Sequence, residues 1–257
     1  MEFIVICLSA FILSALTLFS GFGLGTILMP TFALFFPIDI AITLTANVHF
    51  LNNVFKLILM GKYAERVVVL KFGLSAVLFA FLGAWTLIWF SELPPLLSYQ
   101  FLGRGLQIVP VKFVISIVMI FFALFELIPK LESISFGKKY LPIGGALSGF
   151  FGGLSGHQGA LRSAFLIRSR LSKEGFIGTG VVIACMVDVS RIIVYGKHFS
   201  SASMNENLVL LFGATLSAFL GVIIGKRMVQ KVTVKFIRTL VSVMLFTVAI
   251  GLGMGLI

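Results

Sequence analysis

Asn53-Val54-Phe55-Lys56-Leu57-Ile58-Leu59-Met60-Gly61-Lys62 closes one long apolar run of this chain, and Asp188-Val189-Ser190-Arg191-Ile192-Ile193-Val194-Tyr195-Gly196-Lys197 closes another. At a constant offset of 135 positions, Asn53 aligns with Asp188, Val54 with Val189, Lys56 with Arg191, and Gly61-Lys62 with Gly196-Lys197. Upstream of each lies a glycine-rich segment, Gly21-Phe22-Gly23-Leu24-Gly25 in one case and Gly152-Gly153-Leu154-Ser155-Gly156 in the other. Chance explains a ten-residue match poorly once the order of features also agrees. The chain reads as two repeated halves, approximately 1–128 and 139–257, of a single domain.

Composition sets the solvent of that domain. Of 257 residues, 59% are hydrophobic and 11% charged, where a soluble domain carries roughly 25% charge. Such a chain cannot cover its own surface with polar groups, so lipid must cover much of it. Twenty-eight Phe and 26 Gly fit that reading, since glycine lets membrane helices approach closely. The net charge of +11 sits mostly between apolar stretches, where it sets topology, so no nucleic-acid partner is expected.

A crossing needs about 20 residues. The uncharged run from Phe3 to Ile38 is too long for one crossing and holds the glycines and Pro30, so it reads as a span plus a broken or partly re-entrant segment. It begins Met1-Glu2 without a positive n-region, so retention is expected over cleavage as a signal peptide. Further spans are expected over Ile38–Met60, Val67–Phe90, Val111–Ile128, Leu141–Phe165, Gly175–Tyr195, Leu208–Gly225 and Thr239–Gly255. The expectation is an all-α polytopic membrane protein with about eight helices, four per half, each half opening on a Gly-broken segment. An even number per half makes the repeats parallel unless a broken segment changes the count. Basic residues divide eleven to seven between the two sets of connections, which places both termini outside by the positive-inside rule.

His49, Asn52, Asn53 and Lys56 fall on one helical stripe, and a polar stripe must face protein or a wet cavity rather than lipid. Lys56 and Arg191, at matching positions, are candidates for a pair of cations facing a shared anion site. Asp188 and Arg191, three apart, can pair on one face, either as a structural salt bridge or as a gating or coupling element in which His49 could share a proton. Snorkelling is the competing reading for Lys56 and Arg191.

The glycine-rich segments lack the strand context or the Gly-Lys-Ser/Thr of nucleotide loops. Gly21, Gly23, Gly25, Gly152, Gly153 and Gly156 instead permit either close packing or helix breaks whose freed amides would donate to an anion, with Ser155 and His157 as neighbouring donors. Ser155 and His157 are two apart, a helical spacing that points them in different directions, so no catalytic pair is expected. Arg162, Arg168, Arg170 and Lys173 read as interfacial charges. Three histidines without ligand spacing, and two cysteines in apolar stretches, leave no metal or cofactor expected.

With these features assembled, the chain resembles the TauE/SafE family, the sulfite exporter or TSUP type of permease, over nearly its full length. Gly21 to Pro30 and Gly149 to Ser163, each followed by a span ending in Gly-Lys, carry the resemblance. The family's run of adjacent glycines leading to a proline is altered: the first half has separated glycines and the second has no proline. The resemblance implies a multi-pass protein of the bacterial inner membrane that carries small sulfur-containing or organic anions by secondary transport. A passive anion channel and a non-transporting membrane scaffold are the alternatives, and a homo-oligomer is left open.

Overall fold

The computed structural model describes residues 1–17, 24–101, 103–128, 136–198, 206–228 and 234–257, with backbone alone for 104, 198, 226–228, 234–238 and 240. Gly21, Gly23, Pro129, Lys130 and Lys231 therefore lie outside the described residues, as do the side chains of Arg104, Lys226, Arg227, Lys235 and Arg238.

The helices are α1 (Glu2–Thr17), α2 (Leu24–Ala33), α3 (Ile38–Met60), α4 (Arg66–Ser91), α5 (Pro110–Leu127), α6 (Leu141–Ser155), α7 (Gly159–Leu166), α8 (Lys173–His198), α9 (Leu208–Met228) and α10 (Val234–Gly253). Among the described residues four helices are long and apolar enough to cross a membrane: α4, α5, α8 and α9. That is fewer than the eight spans expected. The first apolar run is divided between α1 and α2, both short, and only Val241–Gly253 of α10 counts as a short apolar helix. The exposed side chains Leu70, Leu74, Leu78, Leu82, Trp85 and Trp89 form one apolar stripe along α4, a patch that suits lipid and not water. This is a polytopic membrane protein.

The fold is not purely helical. Strands β1 (Leu97–Phe101) and β2 (Arg104–Ile108) form an antiparallel hairpin, with Leu97 opposite Ile108. Gly103 turns it with φ +74°, a backbone conformation open to glycine at little cost. Sequence reading took this stretch for a plain connection because it is too short to show a helical or apolar pattern.

Glycine ridges set the directions of the helices. A Cβ on Gly145, Gly149 or Gly153 of α6 would overlap the carbonyl oxygens of Phe72, Ala76 and Ala80 of α4 in turn, so α4 and α6 run parallel in backbone contact. Gly221 and Gly225 of α9 meet the carbonyl oxygens of Phe11 and Ala15 of α1 in the same way, and Gly213 meets the Phe3 ring. Small residues at every fourth position allow this approach. Between α3 and α8 the order is reversed, because Gly178 touches Met60 while Asp188 touches Asn53. Leu51 shares an apolar groove with Leu208 and Phe212, and Phe55 stacks on Phe219 at 4.7 Å, so α3 and α9 run the same way.

These directions make two helical hairpins. α1 enters from the face where α3 begins and reaches the level of Asn52, whose Oδ1 accepts from Ser14 Oγ at 3.2 Å. α2 starts at Gly25 beside His49 and returns to that face, joining α3 through residues 34–37; all ten of its residues are buried. α6 enters from the opposite face and stops at Gly156, whose φ of +82° ends the helix in the left-handed conformation. α7 then turns back until the Phe165 ring fills the space beside Gly144 at the start of α6. Leu141–Phe165, expected as one span, thus enters and leaves by the same face, because Gly156 reverses the chain halfway. The hairpin tips meet: a Cβ on Gly25 would lie 3.6 Å from the Gly156 carbonyl oxygen.

Gly149→Ala should lower thermal stability by about 1–3 kcal/mol or more through overpacking, despite the helix propensity of alanine. Gly137→Ala, which meets open space, should leave the melting temperature within error. Equal melting curves for both variants in detergent would refute the close α4–α6 contact.

Candidate functional site

The polar stripe of α3 is buried where it faces α8. His49, Asn52, Asn53 and Lys56 are 2%, 0%, 4% and 6% exposed, and Asp188 and Arg191 are sealed at 0%. Snorkelling is thereby set aside for both cations. Around Asp188 the sequence has placed donors on three elements. Arg191 on α8 donates from Nη2 at 2.7 Å and Nε at 3.1 Å to Oδ1. His49 on α3 donates from Nδ1 to Oδ2 at 2.7 Å, and Asn53 adds its amide to the same oxygen at 3.0 Å. Gln158, at the α6–α7 break, completes the set through Nε2 at 3.4 Å from Oδ1.

The glycine break explains two contacts that a continuous helix forbids. Because α6 ends at Ser155 and Gly156 reverses the chain, His157 folds back so that its Nδ1 lies 3.0 Å from Ser155 Oγ. The helical expectation that these two diverge is corrected by that turn. The His157 ring stacks on Phe122, with centroids 5.4 Å apart. Ser155 Oγ also donates to the Phe151 carbonyl at 3.1 Å. Gly152 leaves room for Val187 and Gln158, and the Gly153 carbonyl accepts from Tyr195. Gly156 lies against Arg191 Nη1.

Sequence reading passed over Gln158 as a ligand of Asp188 and placed Arg162 at the membrane interface. Arg162 is buried, at 8% exposure, and its Nη1 donates to Gln158 Oε1 at 3.1 Å. Their spacing of four along one helical turn was the available signal; Arg168 and Arg170 nearby made the stretch look like a surface cluster. Ser14, the partner of Asn52, was also missed, since α1 carries no polar pattern of its own.

Among the described residues, three polar atoms in this region are buried without a hydrogen-bond partner: the donors Asn52 Nδ2 and Arg191 Nη1, and the ring nitrogen His157 Nε2. Three cations, Lys56, Arg162 and Arg191, gather about the single carboxylate of Asp188. Burying an ion costs several kcal/mol unless it is compensated, so the arrangement is suited to receiving an anion.

The profile of the sulfite exporter TauE/SafE family matches residues 6–252. The chain belongs to the TauE/SafE family. TauE/SafE proteins are membrane transporters, not enzymes. No curated relative and no solved structure matches the chain.

Replacing Asp188 by Asn leaves Arg191 charged and sealed without its counter-ion, which should cost about 3–5 kcal/mol. The double variant Asp188→Asn with Arg191→Gln should recover part of that loss. Thermal unfolding of the purified protein checks both, and an undisturbed single variant would contradict the ion pair.

Proposed function

We propose that this protein is an anion permease that works by alternating access around the buried cluster at the hairpin tips, carrying small sulfur oxyanions or organosulfonates. One observation carries the reading: Lys56, Arg162 and Arg191 lie buried near the carboxylate of Asp188, with Arg191 Nη1, Asn52 Nδ2 and His157 Nε2 unpaired among the described residues. Lys56 and Arg191 neutralise the anion; Asn52, Asn53, Ser155 and His157 supply hydrogen bonds. Gly25, Gly152, Gly153 and Gly156 give the tips room to move. The pair of His49 and Asp188 is placed to couple a proton to the cycle, because both carboxylate oxygens are held by donors that a passing anion would compete for.

The architecture supports alternating access through an inverted repeat. Exchange α1 with α6, α2 with α7, α3 with α8, α4 with α9 and α5 with α10, and the principal contacts map onto one another. The α4–α6 pair becomes α9–α1, α4–α8 becomes α9–α3, while α3–α8 and α5–α10 map onto themselves. Each half contributes one re-entrant hairpin and three crossings, an odd number that inverts the second half relative to the first. This gives six crossings and two hairpins in place of eight spans. Inverted repeats that place broken helices at the midplane suit alternating access.

Charge then fixes the orientation. Of 20 lysines and arginines, Lys56, Arg162 and Arg191 are buried, and Arg104, Lys112 and Lys197 belong to the face where α3 begins. Twelve more, counted among the described residues, belong to the face where α3 ends. That face is the cytoplasmic one, and both termini are outside, in the bacterial inner membrane. The hairpin β1–β2 lies on the outer face with the C-terminus, where Tyr99 donates to the Met254 carbonyl.

The competing channel reading predicts large unitary currents; a carrier gives saturable flux. In proteoliposomes, Lys56→Gln and Arg191→Gln should each cut anion uptake at least tenfold while protein remains folded in the membrane, and normal uptake by both removes the assignment. In a background with Cys7 and Cys185 replaced by Ser, an impermeant maleimide should label Gly105→Cys on intact cells and Gly137→Cys only after permeabilisation. Labelling of both from the same side would overturn the six-crossing topology.

A further inference from the structure

Asp188 divides the buried cations into two groups. Helices α3 and α8 are antiparallel, so Lys56, three residues beyond Asn53, and Arg191, three residues beyond Asp188, lie on opposite sides of the Asn53–Asp188 contact. Three residues are about 4.5 Å of helix. On the outer side, Arg191 Nη1 beside Gly156 is a buried donor and His157 Nε2 a buried ring nitrogen, both without partners among the described residues.

The inner side has a different composition. Arg162 reaches along α7 until its Nε lies 3.4 Å from where a Cβ on Gly180 would be, about two turns of α8 toward the cytoplasmic face from Asp188. Lys56 sits between the level of the Asn53–Asp188 bond and the level where Met60 touches Gly178. Both cations therefore lie on the same side of the Asn53–Asp188 contact, between it and the cytoplasmic face. Among the described residues neither has a carboxylate within salt-bridge distance, since the ion pairs of Asp188 run to His49 and Arg191. Lys56 and Arg162 keep 6% and 8% exposure where Arg191 is sealed at 0%. Gln158 ties the layers together, donating to Asp188 and accepting from Arg162.

We infer that the anion rests at two stations, an outer one of Arg191 and His157 and an inner one of Lys56 and Arg162, with Asp188 as the partition between them. Arg162 is then a substrate-binding residue of the inner station, its planar fork matching two oxygens of an oxyanion while Lys56 adds a point charge. The inference rests on the anion-permease reading and deepens it: two like-charged residues with no carboxylate in salt-bridge contact among the described residues are stabilised when an anion lies between them. The negative charge of Asp188 keeps an anion from resting at its own level, and its ligands release or regain it as the hairpin tips move.

The test is the sidedness of affinity. With radiolabelled sulfite as probe and proteoliposomes of determined orientation, Arg162→Gln and Lys56→Gln should raise the half-saturating concentration at the cytoplasmic face about tenfold or more. The value at the outer face should change less than threefold. The charge-keeping Arg162→Lys should show a smaller shift at the cytoplasmic face alone, and it carries the test if Arg162→Gln does not purify as folded protein. An equal shift at both faces, or none at either, overturns the two stations. Failure of the permease reading is separate: wild-type protein would then show no saturable flux of sulfite, sulfate, thiosulfate or an organosulfonate.

Discussion

The interaction on which the structure turns is the hydrogen bond from Asn53 to Asp188, 3.0 Å long and spanning 135 positions of sequence. It joins α3 to α8, and in the proposed repeat the two residues are counterparts, which can touch only at the axis relating the halves. From that axis the halves diverge in chemistry. Asn53 is neutral and Asp188 charged, so the carboxylate draws Arg191, His49 and Gln158 onto itself, while Lys56 is left without a matching partner. A duplicated scaffold thus acquires an asymmetric centre.

A carboxylate held by this many donors is stabilised by them and also fixes them. Charge-assisted hydrogen bonds are about twice as strong as neutral ones, and here they pull together side chains from α3, α8 and the α6–α7 break. The unpaired atoms lie at the edge of this network: Arg191 turns Nη1 away from Asp188, and His157 turns Nε2 away from Ser155. The network therefore orders the cluster and leaves these atoms without partners among the described residues.

Much of this was legible in the sequence, for an energetic reason. His49, Asn52, Asn53 and Lys56 stand out because polar groups in an apolar helix are expensive, and the match with Asp188 and Arg191 then located the centre of the fold. The helix break at Gly156 was also readable. What could not be read was the direction after the break. Gly156 in a helix and Gly156 in a left-handed turn have the same letter, and Leu141–Phe165 is long and apolar enough to pass for a crossing. Mistaking that hairpin for a span weakened the charge asymmetry between the faces. Arg162 was misplaced for a related reason: only after the chain turns back does it point into the core, although it is near Arg168 and Arg170 in sequence.

The helix pairing has a consequence for how the protein is made. The α6 hairpin helix packs along α4 of the first half, and α1 packs along α9 of the second. Neither half can complete its own interior. As the ribosome delivers the chain, α1 must wait for almost the whole polypeptide before its partner emerges, with the surface meant for the ridge of Gly213, Gly221 and Gly225 provisionally covered by lipid or by an insertion factor. Biogenesis therefore finishes in one late, cooperative step, and a prematurely terminated chain is left as an incomplete bundle open to quality-control proteolysis.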